Sequence, residues 1–247
     1  MNQTASNAYL GTENARKLIF RLALPTVTAQ IVNMLYNLVD RIYIGHIADV
    51  GQQALTGLGV CQPIIMFIAA FSALICFGGA PRAAIAMGEK DNAKAEKILA
   101  SCFTAQIAVA LILTVVFSLW HREILLAFGA SEDTIEYACE YIKIYVLGSV
   151  FVEISLGMNA FITAQGFSSV AMKTVLVGAV SNIVLDPIFI FVFSMGAKGA
   201  ALATVISQGF SAVWVLVFML GKKPVLKLRK ENLIPDLPVL LPCMALG

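Results

Sequence analysis

The chain has 247 residues, 59% of them apolar and 13% charged, with a formal charge of +2. Soluble domains average about 45–50% apolar and about 25% charged residues, so this composition excludes a soluble globular enzyme and a disordered chain. The small, scattered positive charge argues against a nucleic-acid binder, and apolar runs of about 20 residues, without alternation over about 10, exclude a membrane β-barrel.

What remains is an all-α polytopic membrane protein. Residues 1–17 are a polar N-terminal segment; its sequence lacks the charged start, short apolar core and small-residue cleavage site of a secretory signal. Six apolar runs follow, at about 18–44, 54–80, 98–119, 142–164, 172–193 and 200–220, each long enough to span. No Pro-, Gly- or Ser-rich linker divides them, so 18–220 reads as one six-helix bundle. Residues 221–236 read as a cytoplasmic linker. Residues 237–247 (LPVLLPCMALG) are apolar but too short to cross at 1.5 Å per residue. They read as the start of a truncated seventh helix.

Basic residues set the orientation. With the N-terminus inside, 13 Lys and Arg residues fall on the cytoplasmic side against 4 outside (Arg41, Arg122, Lys143 and Lys198), as the positive-inside rule requires. The Lys/Glu-rich stretch 90–97 fits either an interfacial helix or a solvated loop. GKKPVLKLRK, from Gly221, fits lipid-headgroup attraction or plain topological anchoring. The five cysteines show no metal-binding spacing, and four lie within apolar runs, so they read as packing residues.

Three acids lie within spans: Asp40, Glu153 and Asp186. A carboxylate there is costly and marks function unless a partner or cavity receives it. Gln30, Asn33, Asn37 and Asp40 share one face of span 1, flanked by Tyr36, with Pro25 expected to kink the inner half. The alternative places Asp40 at headgroup level, paired with Arg41. In span 5, Asn182 and Asp186 share a face, and Pro187 frees a backbone carbonyl one turn back. In span 6, Thr204, Ser207, Gln208 and Ser211 share another face. Ser207 and Ser211 are expected to bond only the preceding turn, whereas Thr204 fits that role and a liganding one equally. Two carboxylates, an amide and a hydroxyl on three helices suit Na⁺ as hard oxygen donors. They suit H⁺ as well, since two close carboxylates do not both ionise cheaply. Glu153 joins them, pairs with Asn159, or faces a central cavity. No Ser/His/Asp set, HExxH helix or P-loop occurs, so no enzyme activity and no organic cofactor are expected.

At these residues the chain resembles the multidrug and toxic compound extrusion (MATE) transporters, in the bacterial branch that includes the DNA-damage-inducible type. The resemblance rests on LALPTVTAQIVNMLYNLVDRIYIGHI, GGAPRAAIAMGEKDNAKAEKIL, GMNAFITAQG and SNIVLDPIFIFVFSMGAKGAALATVISQ, in that order. It implies a two-lobed, twelve-helix antiporter of the bacterial cytoplasmic membrane, working by alternating access, of which this chain is the N-terminal lobe with a cytoplasmic N-terminus. It implies Na⁺ or H⁺ coupling at Asp40, Asn182, Asp186 and Thr204. Asn33, Tyr36, Asn37, Glu153, Asn159 and Gln208 are the candidates for the cavity wall, and Pro25 and Pro187 for helix bending. The partners implied are an amphipathic, cationic small molecule, membrane lipid and the missing C-terminal lobe. The competing readings are a lipid-linked saccharide flippase and a non-transporting lobe that only associates with membrane proteins.

Overall fold

A computed structural model describes residues 14–48, 50–228 and 230–247. Residues 1–13 of the expected N-terminal segment, and Arg229 of the basic linker stretch, lie outside the described residues. The elements are α1 (Ala15–Gly45), α2 (Gly51–Ser72), a π turn (Ala73–Phe77), α3 (Gly78–Gly88), α4 (Asn92–Ala127), α5 (Ile135–Leu147), α6 (Ser149–Ala164), α7 (Ser168–Pro187), a second π turn (Ile188–Val192), α8 (Ala197–Met219) and α9 (Leu237–Met244). Among the described residues, five helices are long and apolar enough to cross a membrane, and α5 with α6, bent by 57° where they meet, brings the number to six when the pair counts as one span. All-helical spans are what lipid demands, because each satisfies its own backbone.

Several boundaries differ from the sequence reading. The second span runs to Gly88 and carries a π turn in its middle. The fourth is broken at Gly148, where the two helices meet. The stretch 90–97 is neither a separate interfacial helix nor a loop. Asp91 caps α4 by accepting the Lys94 N–H at 3.0 Å, and the charged residues form the first turns of the third span. α1 is assigned as helix through Pro25. After Pro187, which lacks an N–H to continue the α ladder, the chain widens into its second π turn, closed by Phe193 N–H to Ile188 O at 2.9 Å.

α1 lies along α7, α7 along α8, and α8 along α6 and α5, while α2, α3 and α4 close the other side. Two apolar cores fill the bundle. One gathers α2, α4, α5 and α8 around Ile64, Leu125 and Ile142; the other gathers α3, α4, α6 and α8 around Leu99, Phe161 and Met219. All five cysteines are free and buried, in keeping with a packing role. Large apolar side chains on α1, such as Phe20, Leu24 and Met34, are exposed, as suits helices solvated by lipid.

Candidate functional site

The seam where α7 meets α1 and α8 brings four predicted residues together. Asp40 comes from α1, Asn182 and Asp186 from α7, and Thr204 from α8. The i, i+4 spacing of Asn182 and Asp186 puts both on one face, and Asn182 Nδ2 donates to Asp186 Oδ1 at 3.2 Å. The same amide nitrogen reaches Thr204 Oγ1 at 3.4 Å. The Asp40 and Asp186 carboxyls lie within electrostatic reach of each other. Asp40, Asn182 and Asp186 are buried, whereas Arg41 is exposed. Asp40 is therefore enclosed by neighbouring helices, while Arg41 beside it points out of the bundle and still acts on its carboxyl electrostatically.

Three oxygens of this cluster are buried without a hydrogen-bond partner: Asp40 Oδ1, Asn182 Oδ1 and Asp186 Oδ2. A buried acceptor left unpaired is costly, and two carboxyls in contact repel unless one positive charge is shared between them. The cluster therefore has the chemistry to hold one hard cation or a proton. Among the described residues no three His, Cys, Asp or Glu side chains converge as a metal cluster.

Asn182 and Thr204 also form part of the floor of a cleft of about 290 Å³ between α1, α6, α7 and α8. The predicted wall residues Asn33, Tyr36, Asn37, Asn159 and Gln208 all line it. Asn37 Nδ2 donates to Asn33 O at 2.7 Å, and Gln208 Oε1 accepts from Ser155 Oγ at 3.0 Å. A second cleft of about 530 Å³ shares Gln30 and Asn159 with the first and is mainly apolar, lined by Phe77, Pro81, Leu156 and Met172. No charged side chain lines either cleft among the described residues. The two acids sit behind the wall, not in it.

Glu153 departs from the sequence reading. It lies outside the cleft, fully buried, and bonds Gln106 on α4 through Oε2 at 3.2 Å. Which way a side chain on an apolar span turns is set by neighbouring helices, and those were not legible. Ser211 differs too: its hydroxyl donates to Thr174 O on α7 at 3.1 Å, a link between helices instead of a bond within its own turn. Sequence reasoning missed Gln106, Ser155, Tyr141 and Tyr145. A lone amide within the third apolar run was the available signal for Gln106; the tyrosines on α5 gave none.

The described residues form a bundle of apolar helices with a buried acid pair and, beside it, a cleft lined by amides, hydroxyls and apolar side chains. The MatE family profile matches residues 25–188, and the chain belongs to the MATE family. It is 24% identical over 227 residues to the multidrug export protein MepA of Staphylococcus haemolyticus, covering 92% of this chain and 50% of that protein. It is 26% identical over 220 residues to MepA of Staphylococcus aureus strain NCTC 8325, covering 87% and 48%. A MOP superfamily transporter from Pyrococcus furiosus shares the fold, with a TM-score of 0.90 at 24% identity over 98% of this chain and 53% of its own. An outward-facing multidrug resistance MATE family transporter gives a TM-score of 0.88 at 24% identity over 97% and 53%. The chain thus spans about half the length of the relatives it matches.

Proposed function

We propose that this chain is the ion-coupling lobe of a multidrug efflux antiporter in the cytoplasmic membrane, with its N-terminus inside. The observation that carries the reading is the convergence of Asp40, Asn182, Asp186 and Thr204, with three unpaired buried oxygens, against the floor of a polar cleft. Na⁺ or H⁺ binding there adds one positive charge to the α1/α7/α8 seam and favours the packing in which the carboxyls lie together. Release favours a packing in which they part. Coupling follows only because the two packings bind the ion unequally. Pro25 and the π turn after Pro187 are the places where α1 and α7 can bend.

The cleft wall gives the lobe amides, hydroxyls and apolar surface for an amphipathic cargo. Among the described residues this wall presents amides and hydroxyls and no basic side chain, which suits an amphipathic cargo better than a pyrophosphate-linked saccharide that calls for Arg or Lys. Cationic cargo would feel the acids only through the wall. The test is ion-dependent efflux from proteoliposomes, run on this chain alone and on a twelve-span protein that contains it. The twelve-span protein is expected to export drug against a cation gradient and to lose coupling in Asp40→Asn or Asp186→Asn. Undiminished coupling in both variants would overturn the assignment.

A further inference from the structure

The third carboxylate of the spans is not used by the ion site. Glu153, on α6, is 0% exposed, and so is Gln106 on α4. Gln106 Nε2 donates to Glu153 Oε2 at 3.2 Å, to the Glu153 backbone carbonyl, and to Ser72 Oγ on α2 at 2.6 Å. The Cys76 thiol, on the first π turn, donates to Gln106 Oε1 at 3.1 Å. Gly157, one turn beyond Glu153, makes room for this amide, since a Cβ there would overlap the Gln106 side chain. The π turn begins directly after Ser72, which lets Ser72 and Cys76 meet the same amide. Four elements are thus shaped around one buried acid.

Among the described residues no positive charge in that environment compensates a negative one; only the Gln106 N–H faces the carboxyl. The titratable groups that face Glu153 are the Cys76 thiol from the π turn and the Tyr145 phenol from α5; α2 and α4 offer only the neutral Ser72 and Gln106. Among the described residues no Lys, Arg or His acts on it. Its second oxygen, Oε1, is buried with no partner. A carboxylate held by one amide N–H in a dry interior is far costlier than a neutral acid in the same place, which keeps the Gln106 bond through its carbonyl oxygen.

We propose that Glu153 is a second proton-binding site of this chain, separate from the Asp40/Asp186 pair, loaded in the packing seen here and unloaded when α2 and α6 part around Gln106. Tyr145 and Tyr141 stack on α5 with centroids 6.0 Å apart. The stacked pair thus lies within electrostatic reach of both acid sites, Tyr145 of Glu153 and Tyr141 of Asp40. The inference stands whichever cation the first site binds.

The test is infrared difference spectroscopy of the chain in lipid nanodiscs during a pH titration, with ¹³C-labelled glutamate to separate Glu from Asp carboxyls. The expected result is a protonated-carboxyl band at neutral pH that shifts on glutamate labelling. It is lost in Glu153→Gln and survives in Asp40→Asn, Asp186→Asn and Glu96→Gln. If Glu153→Gln does not fold, the label shift in the unaltered chain and its survival in Glu96→Gln decide the matter. No labelled band at neutral pH, or one that vanishes with Glu96→Gln, overturns the proposal. The aspartate variants of the efflux test report on the first site alone, so the two readings fail separately.

Discussion

At the scale of single residues, Asn182 holds the proposed ion site in shape. One nitrogen serves Asp186 and Thr204, and the oxygen of the same amide is left for a ligand. Asn182→Leu keeps the bulk while removing the donor and the spare acceptor together. A hydrogen bond to a charged group contributes about 1.5–3 kcal/mol, so cation binding should weaken by about tenfold or more. The readout is the Na⁺ or H⁺ concentration that gives half the maximal thermal stabilisation of the purified chain; an unchanged midpoint would remove Asn182 from the site. Asp186→Asn makes a sharper case. It breaks the charge pair but keeps the shape, so the cation-dependent rise in Tm should vanish while the ion-free Tm stays level or rises, because the like-charge contact with Asp40 is gone.

Among the elements, the informative positions are the breaks. The polar stripes of spans 1, 5 and 6 were legible in the sequence because each depends only on the 3.6-residue period of its own helix. The break after Asp186 was legible because Pro187 removes a donor. The bend at Gly148 and the π turn at Ala73–Phe77 were not, since each sits in an unbroken apolar run and depends on what packs beside it. Gly148 has an ordinary φ of −91°, so the reason for glycine there is a close approach and not the backbone angle. A Cβ on it would lie 2.5 Å from both methyls of Val205 on α8. Val205 is β-branched and cannot swing aside. Gly148→Ala should therefore destabilise the chain by about 1–3 kcal/mol through overpacking, and Val205→Ala in the same chain should recover most of that loss. Melting curves of the two single variants and the double variant measure this directly. Additive losses would mean that the bend has another cause. The same dependence on neighbours hid the direction of Glu153, whose span looked the same on every face.

On the scale of the whole molecule, the segment after α8 is strapped to the bundle and does not hang from it as a tether. The sequence of this stretch, basic and short, read as a plain linker, because its anchors lie far away in the chain. Leu226 is 0% exposed within the core around Leu99 and Met219. Its N–H donates to Gln165 Oε1 at the end of α6 at 2.9 Å, the Lys227 N–H reaches Glu96 Oε1 on α4 at 3.4 Å, and Lys97 pairs with Asp236 at 2.5 Å. Two spans far apart in sequence thus grip the segment by its backbone, so in the proposed two-lobed protein it should travel with this lobe, and the hinge should fall beyond Asp236. Proteolysis can measure the grip, because cleavage of a strapped segment tracks how often it opens. Leu226→Ala should cost about 2–5 kcal/mol of packing. Gln165→Leu should cost about 1–3 kcal/mol by orphaning the buried N–H. Either loss should speed tryptic cleavage after Lys227 by about tenfold or more. The Gln165 variant is the stricter arm, since it leaves the sequence around the cut unaltered. Cleavage at the unaltered rate in both variants would mean that the segment is already open and that the hinge starts at the end of α8.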